Sequence, residues 1–240
     1  MLEVKNLNAW WGAAQGRPQQ AMAPVGGSDD TKCESVGARF GAAQALFDVA
    51  LTVNAGELVV LQGLNGAGKS TLLQAIMGIG PRITGVISYK NESIIHWPAY
   101  QRAQLGLGYV AEERRLFAGL TVRENLEIAT RSSRAITARR MAQTLSLFPA
   151  LGNMLTRRAS QMSGGEQQML AIARTLMTEP QLLLLDEPCE GIAPILVESI
   201  AEALLSLKAQ GMPMLVAEQN QILASRADRL ITLVAGQMAH

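Results

Sequence analysis

The sequence predicts an α/β fold in which a mostly parallel sheet forms the core and a small antiparallel β patch lies beside it. Short apolar runs alternate with stretches of helical periodicity such as Glu198–Leu207, as in parallel sheets flanked by helices. These runs occupy residues 58–61, 182–185, 214–217 and 230–234. Three other strand-like segments indicate the antiparallel patch: LEVKNL, ALFDVALTV and TGVISYK.

Length and composition predict one domain over residues 1–240. An apolar content of 48% supports a substantial core. Residues 1–91 and 163–240 are predicted to form that core. Residues 92–162, which are rich in Arg, Leu and Ala and contain several helix-period stretches, are predicted to form an inserted helical lobe.

Charge and hydropathy argue against a nucleic-acid-binding protein and against a membrane-spanning one. The formal net charge is +1 and the Lys and Arg residues are scattered, so the chain lacks the basic surface of a nucleic-acid-binding protein. No apolar stretch approaches the roughly 18 residues that cross a bilayer, and the N-terminus lacks a secretory apolar region. We therefore expect a cytoplasmic protein whose membrane role, if any, comes through a partner.

A short direct repeat interrupts the N-terminal region. WGAAQ begins at Trp11 and FGAAQ begins at Phe40. Residues 16–39, between the repeats, have no apolar period and are rich in Gly, Pro, Gln, Ser and Asp. Such a segment cannot bury enough surface to order itself, so we interpret it as a flexible insertion.

The segment GLNGAGKST after the first apolar run fits the phosphate-binding pattern GxxxxGK[ST]. Its glycines let backbone N–H groups surround phosphate oxygens, and a helix N-terminus follows. Lys69 is predicted to reach the β and γ phosphates of ATP, and the Ser70 hydroxyl to hold Mg²⁺. The predicted nucleotide-binding residues here are Gly63, Leu64, Asn65, Gly66, Ala67, Gly68, Lys69, Ser70 and Thr71.

A pair of acids ends the second apolar run, LLLLDEP. Asp186 and Glu187 would stand at the carboxyl end of a buried strand, where parallel sheets bind their ligands. Asp186 is predicted to hold Mg²⁺ through water, and Glu187 to polarise an attacking water.

A third motif, SGGEQQ, precedes the helical stretch MLAIARTLM. Ser163 suits a helix N-cap, and Gly164 and Gly165 would expose N–H donors to an anion, with Glu166 following. SGGEQQ upstream of LLLLDEP resembles the signature of ATP-binding cassette (ABC) ATPases. The resemblance covers nearly the whole chain and implies a P-loop NTPase core in which Ser163–Glu166 cap the γ-phosphate bound by a partner cassette.

The resemblance is strongest to the cassette subunits of branched-chain amino acid type importers, through YVAEERRLFAGLTVRENL, EGIAP and LVAEQN. Two positions depart from the general cassette pattern as this subgroup does. Glu112 stands where most cassettes have a glutamine that touches Mg²⁺ and the lytic water. Gln219 stands where most have a histidine against the γ-phosphate, and an amide cannot carry positive charge. The resemblance also implies an aromatic ring that stacks on adenine, and either Trp11 or Phe40 fits that role.

The resemblance implies an ATPase of a membrane importer for branched-chain amino acids, urea, amides or aromatic acids. The implied partners are membrane-spanning permease subunits, a second cassette, identical or different, and indirectly a solute-binding protein. The expected location is peripheral, on the cytoplasmic face of the inner (plasma) membrane. Two alternatives stay open: a soluble nucleotide-binding regulator, and an ABC ATPase that acts on nucleic acid with slow turnover.

Overall fold

The computed structural model describes residues 1–12, 43–130 and 132–239. Its strands form two sheets. In chain order the strands are β1 (Leu2–Trp11), β2 (Ala43–Val53), β3 (Leu58–Gln62), β4 (Arg82–Tyr89), β5 (Glu92–Ser93), β6 (Leu107–Val110), β7 (Leu182–Asp186), β8 (Met214–Ala217), β9 (Arg229–Val234) and β10 (Gln237–Met238).

Helices connect and cover these strands. They are α1 (Lys69–Met77), α2 (Ala99–Gln104), α3 (Val122–Glu127), α4 (Arg134–Leu147), α5 (Pro149–Gly152), α6 (Gly164–Leu176), α7 (Pro194–Ala209) and α8 (Gln221–Ala224), with a 3₁₀ turn at Ala159–Gln161. Within the described residues, no helix combines the length and the apolarity that crossing a membrane requires.

The larger sheet has six strands in the order β10-β9-β3-β8-β7-β6. All neighbouring pairs from β9 to β6 are parallel, and β10 pairs antiparallel with β9. Strands β7 and β8 are buried at every residue, as expected of central parallel strands covered on both faces. The predicted α/β fold class and the predicted core strands are confirmed.

The smaller sheet is antiparallel, in the order β2-β1-β4-β5. Strand β1 lies between β2 and β4, with Leu2 opposite Val53 on one side and Tyr89 on the other. The three segments predicted to form an antiparallel patch therefore pair with one another.

The hydrophobic core has two parts, one on each face of the larger sheet. Alternate residues of β3 divide between them: Leu58 and Val60 join the cluster under α6 and α7, whereas Val59 and Leu61 join the cluster with α1 and the smaller sheet. Helix α1 is thus held between the two sheets, directly after β3. This packing fixes the loop between β3 and α1, where the phosphate-binding pattern lies.

The segment 92–162, predicted to be a helical lobe, contains one strand of the core. Strand β6 pairs in parallel with β7, from Leu107 opposite Leu182 to Val110 opposite Leu185. Helices α3, α4 and α5 follow it. The sequence LGYV is short and contains glycine, so its pattern does not separate a strand from a helical stretch. The division into core and lobe stays a prediction, with this strand assigned to the core.

The predicted flexible insertion, 16–39, and the candidate adenine contact Phe40 lie outside the described residues.

Candidate functional site

The phosphate-binding pattern forms a tight loop between β3 and α1. Gly68 adopts φ 105°, and a Cβ there would lie 2.9 Å from the Leu46 side chain. Gly66 adopts φ 81°, and its Cβ position faces open space. Only glycine adopts such conformations at little cost, which explains the spacing of the motif.

Unpaired backbone donors collect in this loop. Among the described residues, the N–H groups of Gly66, Gly68, Lys69 and Ser70 have no acceptor. Helix α1 has no acidic residue in its first turn, so the positive end of its dipole is not neutralised from within. The loop therefore suits a phosphate group, whose oxygens would accept from these donors.

Lys69 lies at the centre of the loop with 3% of its side chain exposed. Its Nζ donates to the carbonyl oxygens of Gly63 at 2.8 Å and Leu64 at 3.3 Å. It also forms an ion pair with Glu187 Oε1 at 2.9 Å. A buried ammonium that reaches both the loop and the acidic pair is placed to bind a phosphate oxygen.

Asp186 ends β7 and is buried beside the start of α1. Its carboxylate accepts from Ser70 Oγ at 2.9 Å and from Tyr109 Oη at 3.2 Å. Burial raises the pKa of Asp186, the charges of Glu112 and Glu187 raise it further, and the two hydrogen bonds oppose that rise. Ser70 and Asp186, predicted as metal ligands, thus contact each other.

Gln219 connects the acidic pair with the phosphate loop. Its Nε2 donates to Asn65 Oδ1 at 2.6 Å and lies 3.5 Å from Glu187 Oε1. Glu187 adopts a left-handed backbone with φ 46°, which is uncommon outside glycine and typical of functional sites. The structure therefore brings Gln219, Glu187 and Lys69 into one contact network.

The sequence analysis did not identify Glu218, a buried carboxylate next to this network. Glu218 accepts from the backbone N–H groups of Cys189 at 2.9 Å, Gln219 at 2.8 Å and Asn220 at 2.9 Å. It joins the loop after Glu187 to the loop that carries Gln219. The charge and the hydrogen bond of Glu218, together with burial as the larger cause, raise the pKa of the Cys189 thiol, so this cysteine stays protonated.

The phosphate loop and Glu187 open into a cavity of about 650 Å³, whereas Gln219 lines a neighbouring cavity on the other side of the loop residues Asn65 and Gly66. The phosphate loop, the first residues of α1, Phe47 and the carboxylates of Glu112, Glu187 and Glu190 line the first cavity. Trp11 is not among its lining residues: the indole Nε1 donates to Thr71 Oγ1 at 3.3 Å, and the ring packs against Gly80. Phe47 escaped the sequence analysis, because only the approach of β10 to β2 brings its ring to the loop.

The segment that begins at Ser163 lies apart from this cavity. Ser163 caps α6: its Oγ accepts from the N–H of Glu166 at 3.4 Å, and its own N–H donates to Glu166 Oε2 at 2.7 Å. In the described ranges, the N–H groups of Gly164 and Gly165 have no acceptor. None of the residues from Ser163 to Glu166 lines the cavity at the phosphate loop.

The donor set fits a phosphate with Mg²⁺ better than a metal held by protein alone. Among residues 1–12, 43–130 and 132–239, no group of three or more His, Cys, Asp and Glu side chains is poised around a metal ion. Ser70 and Asp186 offer hard oxygen ligands, which Mg²⁺ prefers, and Glu112 lines the same cavity. Such an ion would need phosphate and water oxygens to complete its coordination.

Comparisons with known proteins show the family to which the chain belongs. A family model described as ABC transporter matches residues 46–190. The chain is 42% identical over 207 residues to the high-affinity branched-chain amino acid transport ATP-binding protein BraG of Pseudomonas aeruginosa, covering 85% of this chain and 89% of that protein. It is 34% identical over 190 residues to the lipopolysaccharide export system ATP-binding protein LptB of Haemophilus influenzae, covering 78% of this chain and 79% of that protein.

A solved structure shows the same fold. The dimeric structure of an ATP-binding cassette in a post-hydrolysis state, bound to ADP and Pi, aligns with a TM-score of 0.81 and 23% identity, covering 100% of this chain and 97% of that chain.

Proposed function

Because the chain belongs to the ABC transporter family, whose cassettes hydrolyse ATP, we propose that it is the ATP-hydrolysing subunit of a membrane importer. The proposed cargo is a branched-chain amino acid or a related small polar solute such as urea, an amide or an aromatic acid. The observation that carries the proposal is the Lys69–Glu187 ion pair beside the Ser70–Asp186 hydrogen bond, at a glycine loop with unpaired donors. The cargo class rests on the relative BraG, which is 42% identical.

The residues divide the work of hydrolysis between them. The loop N–H groups and Lys69 would hold the β and γ phosphates, while Ser70, Asp186 and Glu112 would hold Mg²⁺, which neutralises phosphate charge when bound. For Lys69 to reach a phosphate, its Nζ must exchange at least one of its present acceptors. If the exchanged acceptor is Glu187, its carboxylate becomes free to accept the proton of an attacking water.

Gln219 would hydrogen-bond to a phosphate oxygen and would not transfer a proton. Its amide already donates to Asn65 of the phosphate loop, and it could turn the same Nε2 toward a phosphate oxygen. An amide has no proton to transfer in this pH range, so acid and base work falls on Glu187. Ser163, Gly164 and Gly165 would act on the nucleotide of a second cassette, since they do not line this chain's own cavity.

The proposed assembly follows from these assignments. Two cassettes, identical or different, would close over two nucleotides and drive membrane-spanning permease subunits on the cytoplasmic face of the inner (plasma) membrane. A solute-binding protein would deliver the cargo to those subunits. Trp11 or Phe40 would stack on adenine.

The direct test is a comparison of Lys69→Ala with Lys5→Ala in ATP binding and steady-state ATP hydrolysis. Lys69→Ala should weaken ATP binding at least about tenfold, because a charge-assisted contact to phosphate is lost. Lys5 is exposed and, in the part of the chain that the structure describes, forms an ion pair with Glu3 alone, so its variant is the matched control. Equal ATP affinity in the two variants would contradict the assigned site.

The direction of transport needs a second experiment, because LptB is named for export. The tagged chain should be isolated from gently solubilised membranes, with and without ATP, and its companions identified by mass spectrometry. Two multi-span subunits and a second cassette beside a solute-binding protein would support import. An export assembly, or a soluble partner alone, would overturn it.

A further inference from the structure

Arg114 lies in the loop that joins β6 to α3, two residues after Glu112. Its backbone is left-handed, with φ 60°, and its N–H donates to the Ala111 carbonyl at 3.0 Å. Arg115, which follows, is also left-handed, with φ 46°. Two successive non-glycine residues in this conformation cost free energy, so other contacts must hold the loop.

Those contacts come from α6. Arg114 Nε donates to Gln168 Oε1 at 3.2 Å, and the Arg114 carbonyl accepts from Arg174 Nη2 at 3.3 Å. Both partners belong to α6. The side chain and the backbone of one loop residue are therefore bound to the same helix.

The guanidinium also touches the first turn of α6. A Cβ added to Gly164 would lie 3.4 Å from Arg114 Nη2 and 3.5 Å from Nη1. Gly164 follows Ser163, the N-cap of the helix. These distances are those of ordinary van der Waals contacts, so the guanidinium lies directly beside the turn that is proposed to meet a γ-phosphate.

The charge of Arg114 distinguishes it from its neighbour. Among the described residues, Arg114 forms no ion pair with a carboxylate, whereas Arg115 pairs with Glu113 at 2.9 Å and both of those side chains are exposed. A cation beside a helix N-terminus is unfavourable. The nearby carboxylate of Glu166 is bound to the Ser163 N–H and paired with Arg157 instead of Arg114. Gln168 is buried, and its Nε2 has no partner in the described ranges.

We propose that Arg114 is a positioning residue that couples the loop of Glu112 to the Ser163 end of α6. A displacement of the loop at one nucleotide would then move the segment that caps the nucleotide of the partner cassette. The inference rests on the proposed function for its consequence in catalysis, and on the contacts of Arg114 for the coupling itself.

The test compares Arg114→Ala, Arg114→Lys and Arg115→Ala in steady-state ATP hydrolysis. Arg114→Ala should lower kcat about tenfold with KM for ATP changed less than about twofold, because in the described part of the chain Arg114 makes no hydrogen bond or ion pair with Lys69 or the phosphate loop. Arg114→Lys keeps the charge but lacks the planar fork, so it should recover only part of kcat. Arg115→Ala should match the wild type.

Substitutions of Gln168 provide a second test of the role of Arg114. Gln168→Leu removes the acceptor of Arg114 Nε, and Gln168→Glu keeps an acceptor. If Arg114 acts through α6, Gln168→Leu and Arg114→Ala should lower kcat to a similar extent and their double variant should be no worse than either. Gln168→Glu should retain activity. Additive losses, or Arg114→Ala equal to Arg115→Ala, would overturn the proposal.

A measurement without turnover separates this inference from the proposed function. In hydrogen exchange, Arg114→Ala should raise exchange both in the loop 111–117 and in the first turn of α6, while Arg115→Ala should affect the loop alone. Exchange that rises in the loop but not in α6 overturns the coupling, whether or not the protein hydrolyses ATP. A wild type without ATPase activity would contradict the proposed function alone.

Discussion

Lys69 and Glu187 are the residues whose contacts most constrain the chemistry of the site. Both are largely buried, and each is the nearest countercharge of the other at 2.9 Å. Removing one partner of such a pair leaves an uncompensated buried charge, which is costly. The pair therefore fixes the proposed base and the proposed phosphate-binding ammonium next to each other, and a phosphate would compete with Glu187 for Lys69.

Trp11 is the described candidate for the adenine contact, and its ring is already fixed beside the first turn of α1 by Thr71. We expect Trp11→Ala to weaken ATP binding at least about fivefold, since an aromatic stack on a base contributes roughly 1–3 kcal/mol. Trp11→Tyr should retain most of the affinity. Isothermal titration with Mg-ATP measures both.

Two further variants identify which ring makes the contact. Phe47→Ala tests the ring that lines the cavity, and Phe40→Ala tests the other residue predicted from the sequence. If Trp11→Ala binds ATP like the wild type while either of these loses affinity, the assignment passes to that residue.

At the scale of the elements, α1 depends on a buried arginine at its C-terminal end. Arg102 of α2 donates to the carbonyl oxygens of Ala75 at 2.9 Å and Ile76 at 2.7 Å, and also to those of Trp97 and Ile95. The last carbonyls of a helix have no partner within it. Among the described residues, Arg102 supplies the donor to the Ile76 carbonyl and a second donor to the Ala75 carbonyl, which also accepts from the Gly78 N–H. Burial lowers the pKa of Arg102 to about 10, which leaves it charged at neutral pH.

We expect Arg102→Met to destabilise the protein by about 3 kcal/mol, because several buried carbonyls lose their donor at roughly 1–3 kcal/mol each, less any relaxation. For a chain of this size, the melting temperature should fall by about 6–12 °C. Arg82, which is exposed on β4, provides the control Arg82→Met. Equal melting temperatures for the two variants in differential scanning calorimetry would contradict this role.

At the scale of the whole molecule, the phosphate loop and the Ser163 segment face different surroundings. The first lines the cavity with Glu112 and Glu187, and the second caps α6 outside that cavity. In the arrangement that we propose, a nucleotide bound by one chain meets the Ser163 segment of another cassette. We therefore expect two cassettes to associate when ATP is bound.

We expect Glu187→Gln to abolish turnover, retain ATP binding and accumulate a dimer when Mg-ATP is present, because the amide cannot accept the proton of water. Light scattering after size exclusion measures the mass, with ADP in place of ATP as the control. A second variant, Glu187→Gln with Ser163→Tyr, should stay monomeric. If the Glu187→Gln variant stays monomeric at saturating ATP, both by itself and when mixed with a second cassette from the same membranes, the proposed arrangement is contradicted.

Much of the site could be predicted from the sequence because its chemistry is carried by short, contiguous motifs. The glycine spacing around Lys69 and the acids after a buried strand each specify a local geometry. Tyr109, Glu218 and Phe47 could not be predicted, because their roles depend on neighbours that are far away in the chain. Tyr109 reaches Asp186 only because β6 is the strand next to β7. Glu218 carried one usable signal, a charged residue directly after an apolar strand.

The sequence by itself determined the fold class, the phosphate loop, the acidic pair and the family, because each rests on residue types at fixed local spacing. Only the tertiary structure decided the strand order, the placement of β6 in the core, the Lys69–Glu187 pair and the contact of Arg114 with α6. Those features depend on which distant elements pack together. Burial and side-chain geometry select them, and neither quantity can be read from local periodicity.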